Sequence, residues 1–223
     1  LALGTENSEV IILDPSGLEV EKTINLKSVP VLMVVQGCID MDYKIFVACR
    51  NGCTYSIKNG KLSSSFKIHI ESKPTAMIKL EKQIILAGMN KTLYSFYNKG
   101  RINFTKVMPH EITDICKLEV RRSQNIQCVL VALKNGEIRL YNDKYHIDTI
   151  TMTEPILGMV YGFFGREEGC LIINTQSGGI HTKILQRQAN LQASSQKPGP
   201  PIEQDIPLNV PKKTKLFLEL VQR

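Results

Sequence analysis

The sequence predicts an all-β fold of the β-propeller class, because one short pattern occurs five times along the chain. The pattern is an apolar run, a polar turn that usually contains Asn or Gly, and a second apolar run. Its five copies occupy residues 1–14, 46–59, 85–98, 130–143 and 171–185. Successive copies are separated by 46, 39, 45 and 41 residues, counted between the matching positions Ala2, Ala48, Ala87, Ala132 and Ile173. This spacing is typical of a repeat built from one four-stranded sheet.

Each copy is predicted to be a β-hairpin. The first run is almost wholly apolar, as in residues 129–133, which is typical of a strand buried on both faces. The second run alternates between apolar and polar residues, as in residues 137–141. Turns such as Asn51-Gly52 and Asn135-Gly136 accept the positive φ angles that tight hairpins need.

Two more strands fit between successive hairpins. An inner strand precedes each hairpin and is entered through Pro30, Pro74, Pro109 or Pro155. Proline suits the first residue of a strand or the loop before it, because it donates no backbone hydrogen bond. A polar, alternating run after each hairpin is the predicted outer strand, at residues 20–26, 65–70, 102–107, 146–152 and 215–220.

These strands combine into a partial propeller domain over residues 1–223, with about four and three-quarter blades. Full blades are predicted at residues 29–70, 75–107, 111–152 and 156–220, after three strands of an earlier blade. Closed propellers commonly have six to eight blades, so we expect an arc of a larger ring whose start is a cut within the propeller. Residues 186–211 contain five prolines and are predicted to be a loop-like insertion in the last blade.

Composition sets the broad class of the protein. Hydrophobic residues make up 43% of the chain, which is enough for a large core, and no apolar run has the length of a membrane span. The six cysteines are scattered through apolar strands, so we expect buried thiols and a reducing compartment rather than disulfides. The four histidines lie in different blades without a second ligand nearby, and no phosphate loop or dinucleotide motif occurs. We therefore predict neither a metal nor a cofactor in this chain.

Two other functions remain open at this point. A propeller hydrolase would use carboxylates at the channel mouth, and its candidates are Asp40, Asp42, Asp114, Glu167 and Glu168. Most of these lie in polar connections where a solvated role is expected, because catalysis needs burial or a charged neighbour to tune the pKa.

A nucleic-acid-binding module is the other alternative, given the net charge of +7. The basic residues mostly come singly, which is typical of solvated strand edges, and the excess also suits an acidic partner or an anionic membrane surface.

Several segments carry a resemblance to a known family. They are residues 49–52, 133–141, 162–167, 178–185 and 208–216. Together they resemble the β-propeller of the first-subunit family of the BBSome, the Bardet-Biedl syndrome protein complex. The similarity follows essentially the whole chain in the right order.

The resemblance implies a non-catalytic subunit of a coat-like adaptor that carries membrane proteins into and out of cilia. It implies a seven-bladed propeller that binds a GTP-loaded Arf-like small GTPase, which recruits the complex to membranes. GTP and Mg²⁺ would then be bound only by the GTPase, and the other partners would be sibling BBSome subunits. The implied location is the cytoplasm, the cilium and the ciliary base, peripheral at membranes, without nucleic-acid binding.

In this family the GTPase contact involves the last blade, which corresponds to residues 156–220. The candidate contact residues are Tyr161, Phe163, Phe164, Arg166, Glu167, Glu168, Lys183, Lys212 and Lys213. For the three aromatic residues, core packing is the alternative. Ile173 lies within a strand that is predicted to be buried, so we expect it to matter only through stability.

Overall fold

The structure, a computed structural model, describes residues 1–39, 41–121, 125–186, 189, 191 and 212–221, with the side chains of residues 212–216 excepted. The chain divides into two compact units, Leu1–Ala193 and Ser194–Arg223. The described part of the first unit consists of strands and turns, and that of the second is one helix, α1 (Lys212–Val221). Within the described residues, no helix has the length and hydrophobicity that crossing a bilayer requires.

The described residues of the first unit form five antiparallel sheets in chain order. Sheet 1 consists of β1 (Ala2–Gly4), β2 (Glu9–Leu13) and β3 (Val20–Asn25). Sheet 2 consists of β4 (Pro30–Gln36), β5 (Lys44–Cys49), β6 (Cys53–Lys58) and β7 (Lys61–His69). Sheet 3 consists of β8 (Pro74–Lys79), β9 (Gln83–Gly88), β10 (Thr92–Tyr97) and β11 (Ile102–Val107).

The last two sheets follow the same scheme. Sheet 4 consists of β12 (Ile112–Arg121), β13 (Asn125–Leu133), β14 (Glu137–Asn142) and β15 (Tyr145–Thr151). Sheet 5 consists of β16 (Ile156–Phe164), β17 (Glu167–Thr175) and β18 (Ile180–Ile184). Within each sheet every strand pairs with the next one along the chain, so the predicted hairpins and the inner-to-outer strand order are confirmed.

Successive sheets pack face to face through apolar side chains. Ile85 of sheet 3 lies in one buried cluster with Val131 of sheet 4, and Leu130 of sheet 4 lies in another with Ile173 of sheet 5. The first strands of sheets 2 to 5, namely β4, β8, β12 and β16, contact one another in series. This stacking of four-stranded antiparallel sheets around their first strands is β-propeller architecture, as the sequence predicted.

The polar turn of every repeat holds one residue in the left-handed conformation. These residues are Ser8, Gly52, Lys91, Gly136 and Gly178, with φ between 62° and 88°. In sheets 1 to 4 the carbonyl of this residue accepts a backbone hydrogen bond of 2.7–3.0 Å from the residue just after the outer strand. The turn therefore also fixes the end of the fourth strand.

One predicted strand is wrong. Residues 215–220 were expected to form the outer strand of the last blade, but they lie in helix α1. This segment is rich in Lys, Leu and Glu, which have high helix propensity, and local propensity prevails over an alternation of only six residues. Sheet 5 therefore has three strands among the described residues. The predicted proline-rich insertion, apart from residues 186, 189 and 191, lies outside the described residues.

The segment after β18 contributes to the core. Leu191 is 4% exposed and packs with the side chains between sheets 4 and 5. Its carbonyl oxygen accepts a hydrogen bond of 2.8 Å from the Asn142 side chain. The six cysteines are free thiols, and Cys49, Cys53, Cys128 and Cys170 are buried in strands.

Candidate partner-binding surface

The hairpin that joins β16 to β17 carries most of the predicted contact residues. Phe164 pairs with Glu167, so Gly165 and Arg166 form a two-residue turn between them. Gly165 has a φ of 61°, which suits the first central position of a tight hairpin turn. The turn therefore presents Arg166 at the tip of the sheet, with Phe164 and Glu167 beside it.

The three aromatic candidates differ in their exposure. Tyr161 is half-buried and packs against the apolar cluster between sheets 4 and 5, so core packing describes it best. Phe163 and Phe164 are 78% and 65% exposed. Contiguous exposed apolar patches mark interaction sites, so strongly exposed phenylalanines at a hairpin tip are candidates for a partner contact.

A groove with a volume of about 900 Å³ lies between this hairpin and β12. Five predicted contact residues line it, namely Tyr161, Phe163, Arg166, Glu167 and Glu168. The structure thus brings together residues that are adjacent in sequence and adds a wall from sheet 4.

That wall is formed by charged residues that the sequence analysis missed as contact candidates. Glu119 on β12 lies 2.6 Å from the Lys117 ammonium and 3.2 Å from the Arg121 guanidinium. The hydrogen bond from Lys117, against a smaller effect of burial, lowers the pKa of the Glu119 carboxyl. The alternation of charged residues at 117, 119 and 121 is the signal that would have identified this polar face.

The charges on the hairpin are not paired in this way. Arg166, Glu167 and Glu168 are exposed and form no ion pair with any residue that the structure describes. Both signs of charge therefore remain available at the tip for a partner of complementary charge.

The remaining candidates lie elsewhere. Lys183 is an exposed residue of β18 and borders a second, more apolar groove of about 340 Å³ between sheets 4 and 5. Lys212 and Lys213 begin helix α1 of the second unit, where the structure describes their backbone only.

Two of the carboxylates considered for hydrolysis, Asp114 and Asp42, have local structural partners. Asp114 is half-buried in β12 and accepts hydrogen bonds from the backbone N–H groups of Ile115 (2.8 Å) and Met159 (2.9 Å). Burial raises the pKa of the Asp114 carboxyl, although these hydrogen bonds oppose the shift. Asp40, another of these candidates, lies outside the described residues.

Asp42 also has its own partners, in sheet 2. Its Oδ1 accepts a hydrogen bond of 2.7 Å from the Asn59 side chain, which lowers the pKa of the Asp42 carboxyl, and its Oδ2 lies 3.8 Å from Lys58. Within the described part of the chain, no three His, Cys, Asp or Glu side chains are placed to hold a metal ion.

Replacing Asp114 with alanine is expected to lower the free energy of unfolding by about 1–3 kcal/mol, because the buried Met159 N–H loses its acceptor. Urea denaturation followed by circular dichroism measures the loss. Asp148→Ala is the matched control, since Asp148 is exposed and, among the described residues, accepts a hydrogen bond only from the adjacent Thr149 N–H. Equal losses in the two variants would contradict a specific role for the bond between β12 and β16.

Comparison with known proteins gives consistent similarities. A family model described as Ciliary BBSome complex subunit 1 matches residues 1–58. The BBSome complex member BBS1 of Mus musculus and that of Homo sapiens are each 34% identical to the chain over all 223 residues. The chain spans 37% of the length of each of these relatives.

Solved structures resemble the chain in the same way. Two crystal structures of BBS1N in complex with ARL6DN, soaked with mercury or with lead, match at a TM-score of 0.81 and 34% identity. Each alignment covers 86% of this chain. It covers 62% of the matched chain in the mercury-soaked structure and 58% of that in the lead-soaked structure. The crystal structure of Saccharomyces cerevisiae Sqt1 matches with a TM-score of 0.61 and 14% identity. This match covers 81% of this chain and 54% of the Sqt1 chain, and it shows a likeness of fold alone.

Proposed function

We propose that this chain is part of a non-catalytic BBSome subunit. The premise is that all 223 residues of the chain are homologous to part of BBS1. In this role its propeller binds an Arf-like small GTPase in the GTP state. The observation that carries the proposal is the match to BBS1N solved in complex with ARL6DN, at 34% identity over 86% of this chain.

The GTPase recruits the subunit and its sibling BBSome subunits to membranes, where the assembly carries membrane proteins into and out of cilia. The subunit is cytoplasmic and ciliary and associates with membranes peripherally. GTP and Mg²⁺ are bound by the GTPase, and this chain holds no cofactor. The separate structural partners of Asp114 and Asp42 support a non-catalytic role.

The proposed contact surface is the tip of the β16–β17 hairpin together with the groove beside it. A stable interface buries about 1,000 Å² or more, and its energy is concentrated in a few aromatic and arginine side chains. Phe163, Phe164 and Arg166 are residues of these types, and the two phenylalanines are strongly exposed. The unpaired charges of Glu167 and Glu168 then select the partner's orientation.

The double variant Phe163→Ala/Arg166→Ala is expected to weaken GTPase binding by at least about thirtyfold, as the loss of a hot spot of about 2 kcal/mol implies. The measurement is capture of the chain by immobilised ARL6 loaded with a non-hydrolysable GTP analogue or with GDP, followed by titration. Wild-type chain is expected to bind the GTP-analogue form preferentially.

Tyr145→Ala/Arg101→Ala is the matched control, because these residues are an exposed aromatic and an exposed arginine on sheets 4 and 3. Equal capture in both nucleotide states, or no capture in either, would exclude the proposed function. Nucleotide-dependent binding that both double variants retain would exclude only the proposed surface.

A further inference from the structure

One hairpin of sheet 2 places two cysteines and a histidine in a row across three strands. Ala48 of β5 pairs with Thr54 of β6, so the next two residues, Cys49 and Cys53, lie opposite each other at the end of the hairpin. Cys53 pairs in turn with His69 of β7. Directly opposite residues lie on the same face of a sheet, so the three side chains are neighbours.

The two cysteines are close enough for a disulfide bond. Directly opposite residues of an antiparallel pair have Cα atoms about 4.5–5.5 Å apart, and disulfides span Cα separations of about 4.4–6.8 Å. Both side chains belong to the buried cluster between sheets 1 and 2. The turn between them is closed by a hydrogen bond of 3.0 Å from the Gly52 N–H to the Cys49 carbonyl. A bond between Cys49 and Cys53 therefore needs little movement of the backbone.

The two thiols differ in their surroundings. Cys49 is 0% exposed, and burial raises the pKa of its thiol to about 11, so it stays protonated at neutral pH. Cys53 is 9% exposed, and its Sγ lies 3.5 Å from Nδ1 of His69, whose side chain is exposed. An imidazole can accept the proton of a neighbouring thiol and leave the thiolate, which is the reactive form. Cys53 is therefore the thiol that reacts first with an oxidant.

We propose that Cys53 is a site of reversible oxidation by peroxides and that Cys49 converts the oxidised form into a disulfide. In the first step the Cys53 sulfur attacks one oxygen of hydrogen peroxide and the O–O bond breaks. The proton that His69 had accepted leaves with the second oxygen as water, and Cys53 becomes a sulfenic acid.

The second step joins the two cysteines. The Cys49 sulfur forms a bond to the Cys53 sulfur, the S–O bond breaks, and the Cys49 proton leaves with the hydroxyl group as water. Two thiols are thereby oxidised to one disulfide, and one hydrogen peroxide is reduced to two waters.

A transient disulfide is compatible with the reducing compartment that the sequence predicts, because disulfides of intracellular proteins are usually catalytic or redox-sensing. The bond would join β5 to β6 next to the turn that fixes the end of β7, where the Ile70 N–H donates to the Gly52 carbonyl at 3.0 Å. The site lies in sheet 2, and its test does not depend on GTPase binding.

The test uses the whole 223-residue chain, first reduced and then treated with hydrogen peroxide, after which the remaining thiols are blocked with N-ethylmaleimide. Trypsin cleaves after Arg50 and so separates the two cysteines, and a disulfide between them joins peptides 45–50 and 51–58. We expect mass spectrometry to detect this linked pair and dithiothreitol to release it. Absence of the linked pair, with Cys53 either unmodified or irreversibly oxidised, would overturn the proposal.

Two variants separate the roles of the neighbouring groups. Cys49→Ala removes the second thiol, so we expect the sulfenic acid at Cys53 to persist and to react with dimedone. His69→Gln is expected to slow the oxidation of Cys53 at least about tenfold, because a positioned base accelerates a reaction by about 10²–10⁴. His146→Gln is the matched control, since His146 is an exposed histidine of β15 that is hydrogen-bonded to Thr149.

Circular dichroism checks that each variant is folded, and the linked-pair measurement on the wild-type chain needs no variant. Cys38 is the control thiol, because it is exposed in a loop and lies apart from His69 and Cys49 along sheet 2. Dimedone labelling of Cys38 without labelling of Cys53, or oxidation of His69→Gln at the wild-type rate, would overturn the proposal.

Discussion

Replacing Ile173 with aspartate is expected to unfold the first unit at neutral pH. Ile173 is 0% exposed, lies at the centre of β17 between Met159 and His181, and belongs to the cluster between sheets 4 and 5. Truncating a buried isoleucine costs about 2–5 kcal/mol, and burying an unpaired carboxylate adds several more. The sum is comparable to the whole stability of a typical domain, about 5–15 kcal/mol.

Circular dichroism and thermal unfolding of the purified variant measure this effect. Ile173→Val is the control, because it keeps an apolar side chain and is expected to cost only about 0.5–1.5 kcal/mol. GTPase capture should fall in step with the folded fraction, since Ile173 has no exposed surface for a partner. A folded Ile173→Asp variant that had nevertheless lost GTPase binding would contradict a purely structural role.

Gly52→Ala is expected to lower the free energy of unfolding by about 2–3 kcal/mol. Gly52 has a φ of 81°, which costs a residue with a Cβ about 1–2 kcal/mol. The added Cβ would also clash with the carbonyl oxygen of Ile70, the residue that follows the outer strand. Lys91 occupies the matching turn position with a φ of 62°, so the turn can relax, and this limits the loss to the stated range.

Gly178→Ala separates the two contributions, because Gly178 has a φ of 87° in the matching turn of sheet 5 but no atom within 4 Å of an added Cβ. Only the backbone contribution of about 1–2 kcal/mol is expected there. Denaturant titration of both variants provides the comparison. Losses of equal size would show that the contact with Ile70 is relieved without cost.

The hairpin tip illustrates how far the sequence predicts the candidate site. The run from Phe163 to Glu168 is recognisable by its aromatic and charged residues and by its place in the last repeat. Sequence alone left the choice between core and surface open for the aromatics, because an apolar run such as residues 156–164 has the same pattern whether its aromatic side chains pack in a core or lie on the surface. The structure assigns Tyr161 to the core and exposes Phe163 and Phe164.

The sequence by itself determined the repeat, the hairpins and the inner strands, because alternation, buried apolar runs and turn residues such as Gly52 are local properties that act within a few residues. Tertiary structure alone decided which distant side chains meet. Asp114 and Met159 are separated along the chain, and only the packing of β12 against β16 places the Asp114 carboxylate 2.9 Å from the Met159 backbone nitrogen. Residues 215–220 are the opposite case, because their helix follows from local helix propensity, which prevails over an alternation of six residues.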